Sequence, residues 1–158
     1  MKRIALIALA LLTSACTTPV LTSDEMKRIT ASVDAEDGAV LFANVAIWLP
    51  GSSDYRFKAV EPKVPGVAVV TSKALLFQQW GGNRGMTNLK RIPIPEIERA
   101  VLLPFGRSLR VAIHQRGGAV DSFASSDGGG ELSLEPGTRE MHRILTEVKG
   151  QLPPPSAN

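Results

Sequence analysis

The stretch Gly66-Val67-Ala68-Val69-Val70-Thr71-Ser72-Lys73-Ala74-Leu75-Leu76-Phe77 sets the reading of this chain. Val67 to Val70 is apolar and mostly β-branched, Thr71-Ser72-Lys73 interrupts it, and Ala74 to Gln78 resumes. That is the pattern of two antiparallel strands joined by a tight turn. Upstream, Val40 to Leu49 is a second β-branched and aromatic run that stops at Pro50-Gly51. Downstream, Leu89 to Ile94 alternates with Ile92 and Ile94 inward. Pro93 and Pro95 have no amide hydrogen to donate, which places this strand at a sheet edge. Ile97 to Leu103 continues the strand pattern. Leu109, Val111 and Ile113 then alternate with Arg110, Ala112 and His114, which puts His114 on a solvent face with Arg110 and Ala112. Gly117-Gly118 turns the chain into a strand over Val120 to Ala124.

Only the end of the chain carries a long amphipathic helix. Pro136-Gly137-Thr138 introduces it, with Thr138 as the expected N-cap. Met141, Ile144, Leu145, Val148 and Leu152 fall on one apolar stripe, while Arg139, Glu140, Arg143, Glu147 and Lys149 surround the other face. Six or seven short strands followed by one C-terminal helix define a mainly β, β-rich α+β fold: a bent antiparallel sheet or small barrel, closed by that helix.

The first residues read as an address. Lys2 and Arg3 precede the uninterrupted apolar run Ile4 to Leu12, then Thr13-Ser14-Ala15 and Cys16. The run is shorter than the ~20 residues a membrane span needs and matches a signal-peptide core. Residues 1–15 are therefore expected to be a cleaved leader, 16–37 a lipidated Cys with its tether, 38–152 the folded domain and 153–158 a mobile, proline-rich tail. Within the tether a short helix is expected around Asp24 to Ile29. Cys16 is the single cysteine among 158 residues, so the domain makes no internal disulfide. Of 18 Lys and Arg, the leader takes Lys2 and Arg3, leaving 16 against 15 Asp and Glu. With that near-neutral balance and no basic stripe, nucleic acid is not an expected partner.

Two resemblances follow from these residues. Leu12-Thr13-Ser14-Ala15-Cys16 is similar to the lipobox of bacterial lipoproteins, with Thr13 where a branched apolar residue is commoner. The resemblance implies a diacylglyceryl group on Cys16 and a membrane anchor through that lipid. Thr17, where an Asp would imply inner-membrane retention, implies an outer-membrane anchor facing the periplasm. Second, the order of strands and helix resembles the pleckstrin-homology (PH) superfold, in particular its GRAM-like and bacterial members. The patterns that carry it are Gly38 to Phe42, Gly66 to Phe77, Ile92 to Ile97 and the hairpin across Gly117-Gly118, over residues 38 to 151. A lipocalin-like barrel is the rival, and usually has more strands before its helix. In eukaryotic PH domains the loop after the first strand binds phosphoinositides; here it offers only Arg56 and Lys58, opposed by Asp54.

Chemistry is sparse. Neither His114 nor His142 has a Cys, Asp or Glu at ligand spacing, so no metal site is expected. No nucleophile elbow or phosphate loop is present; Gly81 to Gly85 is the nearest mimic and no helix pattern follows it. Glu96 and Glu98 are expected on one side of a strand, about 7 Å apart. No catalytic residue and no cofactor is assigned. The expected function is a non-catalytic binding or scaffolding domain on an envelope lipoprotein, with Trp48, Tyr55 and Trp80 as contacts to an envelope protein. The alternatives are a barrel that binds a small or lipid-like ligand and, third, a hydrolase using Glu96 or Glu98.

Overall fold

A computed structural model of the chain describes residues 21–51, 63–80, 85–126 and 135–151. Seven strands follow one another: β1 (Val40–Pro50), β2 (Val64–Thr71), β3 (Ala74–Trp80), β4 (Met86–Pro93), β5 (Ile97–Phe105), β6 (Ser108–Gln115) and β7 (Val120–Ser125). They form one antiparallel sheet in the order β4-β3-β2-β1-β7-β6-β5. β4 and β5 are its two edges, so the sheet is bent but not closed. Pro93 terminates one edge and Pro104 lies in the other, each where a missing amide hydrogen leaves no ladder bond unmade.

The turn between β2 and β3 forms because Thr71 folds its side chain back into it. Its buried hydroxyl accepts from the amides of Lys73 (3.2 Å) and Ala74 (2.9 Å). In the β6–β7 turn Gly117 and Gly118 hold φ of 97° and 88°, the left-handed region that a β-carbon disfavours. Three β-bulges each add one unpaired residue: Leu41, Leu89 and Glu98. Among the described residues Leu41 and Leu89 are the large apolar side chains exposed to solvent, and both are bulge residues.

The strands at the centre bury both faces. On β2, Ala68 and Val70 join the principal core with Leu75, Phe77, Ile92, Val111, Ile113 and Phe123. The intervening Val67 and Val69 face the opposite way and pack with Ala74 and Leu76 under Ile29. A continuous apolar run such as Val67 to Val70 is what a strand covered on both sides requires.

Ile29 belongs to a helix, α1 (Ser23–Ser32), longer than the turn expected at 24–29. Thr22 and Glu25 form a capping box: the Thr22 hydroxyl accepts from the Glu25 amide, and the Glu25 carboxylate accepts from the Thr22 amide at 2.7 Å. From there the chain stays on the sheet. Ser32 bonds to Gln78, and Asp37 pairs with Arg91 at 2.7 Å. Residues 21–37, expected as a tether, thus lie against the outer face of β2 to β4.

The second helix, α2 (Glu135–Gly150), inserts Met141, Ile144, Leu145 and Val148 into the principal core, as its stripe predicts. It begins three residues before the expected cap. Pro136 fits the first turn, where no amide hydrogen is needed, and Thr138 is buried, its hydroxyl accepting from the Ser125 amide at 3.0 Å. β6 also departs from expectation. Arg110 and Ala112 are buried, and so are Val111 and Ile113 on the other side. The face read as solvent-exposed is covered, because alternation of residue type cannot reveal a cover supplied from elsewhere in the chain. Leader, Cys16 and proline-rich tail lie outside the described residues. Among those described, no helix is long and apolar enough to cross a membrane.

Candidate functional site

Of the three aromatic residues singled out by sequence, Tyr55 lies outside the described residues, as do Arg56 and Lys58, and of Trp80 only the backbone at the end of β3 is described. Trp48 is described, and it leads to a polar cluster on the inner face of the sheet. It sits near the end of β1 on the inner face, half-buried, its ring tilted 49° against Phe77 at 5.7 Å. Phe77 in turn meets Phe123 at 5.9 Å. The indole nitrogen donates to Asp121 Oδ1 at 2.9 Å.

Asp121 is the centre of this cluster. It follows Val120 at the start of β7 and pairs with Ile113, so by two-residue alternation it shares the inner face with Phe123. Only 4% of it reaches solvent. Besides Trp48, its carboxylate accepts from Gln115 Nε2 at 2.8 Å and from Lys90 Nζ at 2.9 Å. Lys90 stands opposite Phe77 on the edge strand β4 and reaches across the opening to β7. The ion pair therefore links two strands that share no backbone ladder. A carboxylate this buried is tolerated only when its lone pairs are met, and here three donors meet them. The cluster thus converges on Asp121, whose carboxylate is used by all three other members. It ties the edge strand β4 to β7 across the bent sheet.

Sequence reasoning passed over this cluster, although its signal was present. Asp121 lies two residues before Phe123 and Lys90 two before Ile92, positions that strand alternation turns inward. Charged residues at core parity deserve a partner, and these two are each other's.

The remaining candidates separate. Glu96 lies in a 3-10 turn (Ile94–Glu96) and Glu98 is the unpaired residue of the β5 bulge, both exposed. Contrary to expectation they do not lie together on one strand, since the turn ends before β5 begins. His114 is half-buried beside Arg99, and burial first, then the Arg99 charge, lowers its pKa below the ordinary imidazole value of 6.5. His142 turns its ring toward the β5 backbone, Nε2 3.2 Å from the Ala100 carbonyl. Among the described residues no three His, Cys, Asp or Glu side chains gather to hold a metal. Of the glycine-rich stretch 81–85, only Gly85 is described, at a φ of 77° before β4.

No protein-family model matches the chain, and no curated protein sequence matches it. Solved structures do. The C-terminal domain of an unknown protein from Leishmania infantum superposes with a TM-score of 0.54 at 11% identity, over 82% of this chain and 100% of that one. The DH/PH domains of p115-RhoGEF superpose with a TM-score of 0.50 at 14% identity, over 85% of this chain and 37% of theirs. The Slm1 PH domain aligns over 70% of this chain and 98% of its own, at 11% identity and a TM-score of 0.45. Identities this low speak to architecture alone. Seven antiparallel strands in one bent, unclosed sheet, followed by a C-terminal helix that fills its core, give this chain a PH-like fold.

Proposed function

We propose that the chain is a bacterial envelope lipoprotein, held to a membrane by lipid on Cys16 and presenting its PH-like domain as a non-catalytic docking or scaffolding module. The observation that carries the proposal is the sequence Leu12 to Cys16, placed directly after an apolar run too short to span a bilayer. Two features of the domain favour docking over chemistry or ligand storage. Phe77, Phe123, Ile113, Met141 and Leu145 fill the inner face of the sheet, and the polar groups around Asp121 are bonded to its carboxylate. Trp48, Tyr55 and Trp80 are the proposed contacts to an envelope protein, Trp48 through the part of its half-buried ring that the core leaves open. Thr17 after the lipidated residue assigns the anchor to the outer membrane, facing the periplasm.

The test is expression of the full chain in a Gram-negative host fed an alkyne fatty acid, beside Cys16→Ala and Thr17→Asp. The wild-type chain should carry the label and sediment with outer membrane. Cys16→Ala should lose both label and sedimentation, and Thr17→Asp should move to the inner membrane. Label retained by Cys16→Ala, or an unlabelled wild-type chain, would refute the anchor.

A further inference from the structure

The sequence alone allots residues 16–37 to a tether. Fully extended at ~3.6 Å per residue, such a leash would reach roughly 75 Å, several times the radius of the domain, and any face could meet any partner. The structure removes most of that length. Leu21 packs against the outer apolar cluster, Thr22 begins a capped helix, and Ile29 has no exposed surface. Residues 17–20 are what remains between Cys16 and Leu21. Their reach is at most ~18 Å, and ~12 Å as a random coil.

A domain of this size has a radius of gyration of about 13 Å and hence a diameter of about 35 Å. To bring its far side to the bilayer, the leash would have to travel about 55 Å around half the circumference, three times its contour length. The residues nearest the attachment point are therefore held at the surface, whatever their charge. α1 itself is balanced, with Asp24 and Glu25 against Lys27 and Arg28, so the leash and not electrostatic attraction sets the orientation.

From this geometry, and resting on the lipid anchor proposed above, we infer that the domain rides directly on the bilayer that holds its Cys16 lipid, with the N-terminal end of α1 against the headgroups and α2 turned away. The membrane-facing surface is built from Leu21, Thr22, Met26, Lys27 and Thr30, along an open hollow of about 630 Å³. The two helices lie on opposite sides of the sheet: Val67 and Val69 pack toward α1, Ala68 and Val70 toward α2. The exposed face of α2, with Arg143 between Glu140 and Glu147, thus points into the periplasm. A soluble partner meets the α2 side, and only a membrane-embedded one meets α1.

The full chain, purified from membranes in its acylated form, is reconstituted in vesicles of phosphatidylethanolamine and phosphatidylglycerol carrying a headgroup acceptor dye. Donor dyes are placed singly through Lys27→Cys or Glu147→Cys, since acylated Cys16 does not react. Two layers of ~10 Å separate the helices, so transfer from position 27 should exceed that from position 147 several-fold. The difference should persist in high salt, and a twenty-residue Gly/Ser insertion after Thr18 should abolish it. Equal transfer from both positions in acylated protein, or indifference to the insertion, overturns the orientation alone. An intact mass without acyl chains overturns the anchor and the orientation with it.

Discussion

Replacing Ile29 with Ala should release α1 from the sheet while leaving the strands folded. Ile29 is the one fully buried side chain of α1 and lies among Val67, Val69, Ala74 and Leu76. The substitution deletes three carbons, worth about 2.4 kcal/mol at ~0.8 kcal/mol per methylene. The cavity left beneath the helix adds to this, and the expected loss is about 3–4 kcal/mol, within the ~2–5 kcal/mol range for such truncations. Its polar tie to the sheet is the bond that Gln78 Nε2 donates to Ser32 Oγ at 3.1 Å. A peptide of this length is not helical in isolation, so the helix should detach and unwind locally. Native-state hydrogen exchange reads this directly. Protection of amides in α1 should fall by roughly 100- to 1000-fold, at ~1.4 kcal/mol per decade, while amides of Val69 and Ile113 keep theirs. Protection of α1 unchanged in Ile29→Ala, or lost equally across the sheet, would refute the idea that the buried Ile29 side chain docks α1.

Other consequences follow from the same packing. Asp121→Ala leaves Lys90 without its counter-ion and Trp48 and Gln115 without an acceptor, and should cost about 3–5 kcal/mol in urea unfolding; a loss below about 1 kcal/mol would show that the cluster is not buried as described. A β-carbon on Gly66 would press into the Gln78 carbonyl and lie 2.7 Å from the Phe77 ring, so Gly66→Ala should lower stability by about 1–3 kcal/mol through overpacking. His114 titrates below 6.5 because burial and the Arg99 charge both disfavour its protonated form, Glu98 opposing them. Between 6.5 and that lower value the unfolded chain binds a proton that the folded chain refuses, so the His114 contribution is constant above 6.5 and declines as pH falls. Proton NMR of the imidazole should show the depressed midpoint, and Arg99→Gln should raise it.

Much of the sheet was legible because strand alternation and turn chemistry are local. The Thr71 turn, the Gly117-Gly118 turn, the edge position of Pro93 and the stripe of α2 all stand in the structure where residue types place them. What was missed depends on which surfaces meet. Nothing in Asp24 to Ile29 itself says that this segment packs on Val67 and Val69; the signal was on the partner strand, whose unbroken apolar run needed a second cover. Arg110 misled for the same reason, since a charged residue in alternation ordinarily marks a solvent face. The 3-10 turn that takes Glu96 off the strand, and the bulge that leaves Glu98 unpaired, leave no trace in composition. The Asp121 cluster joins residues up to 73 positions apart, a pairing that parity hints at and only the fold supplies.

Mass spectrometry of the N-terminal tryptic peptide, taken from membranes of a host expressing the full chain, bears most directly on the lipoprotein assignment. The peptide should begin at Cys16, end at Lys27 and carry the mass of a diacylglyceryl group, with or without a further acyl chain on its amine. A peptide that begins elsewhere, or one that begins at Cys16 with an unmodified thiol, would contradict the lipid anchor and the membrane-facing orientation built on it.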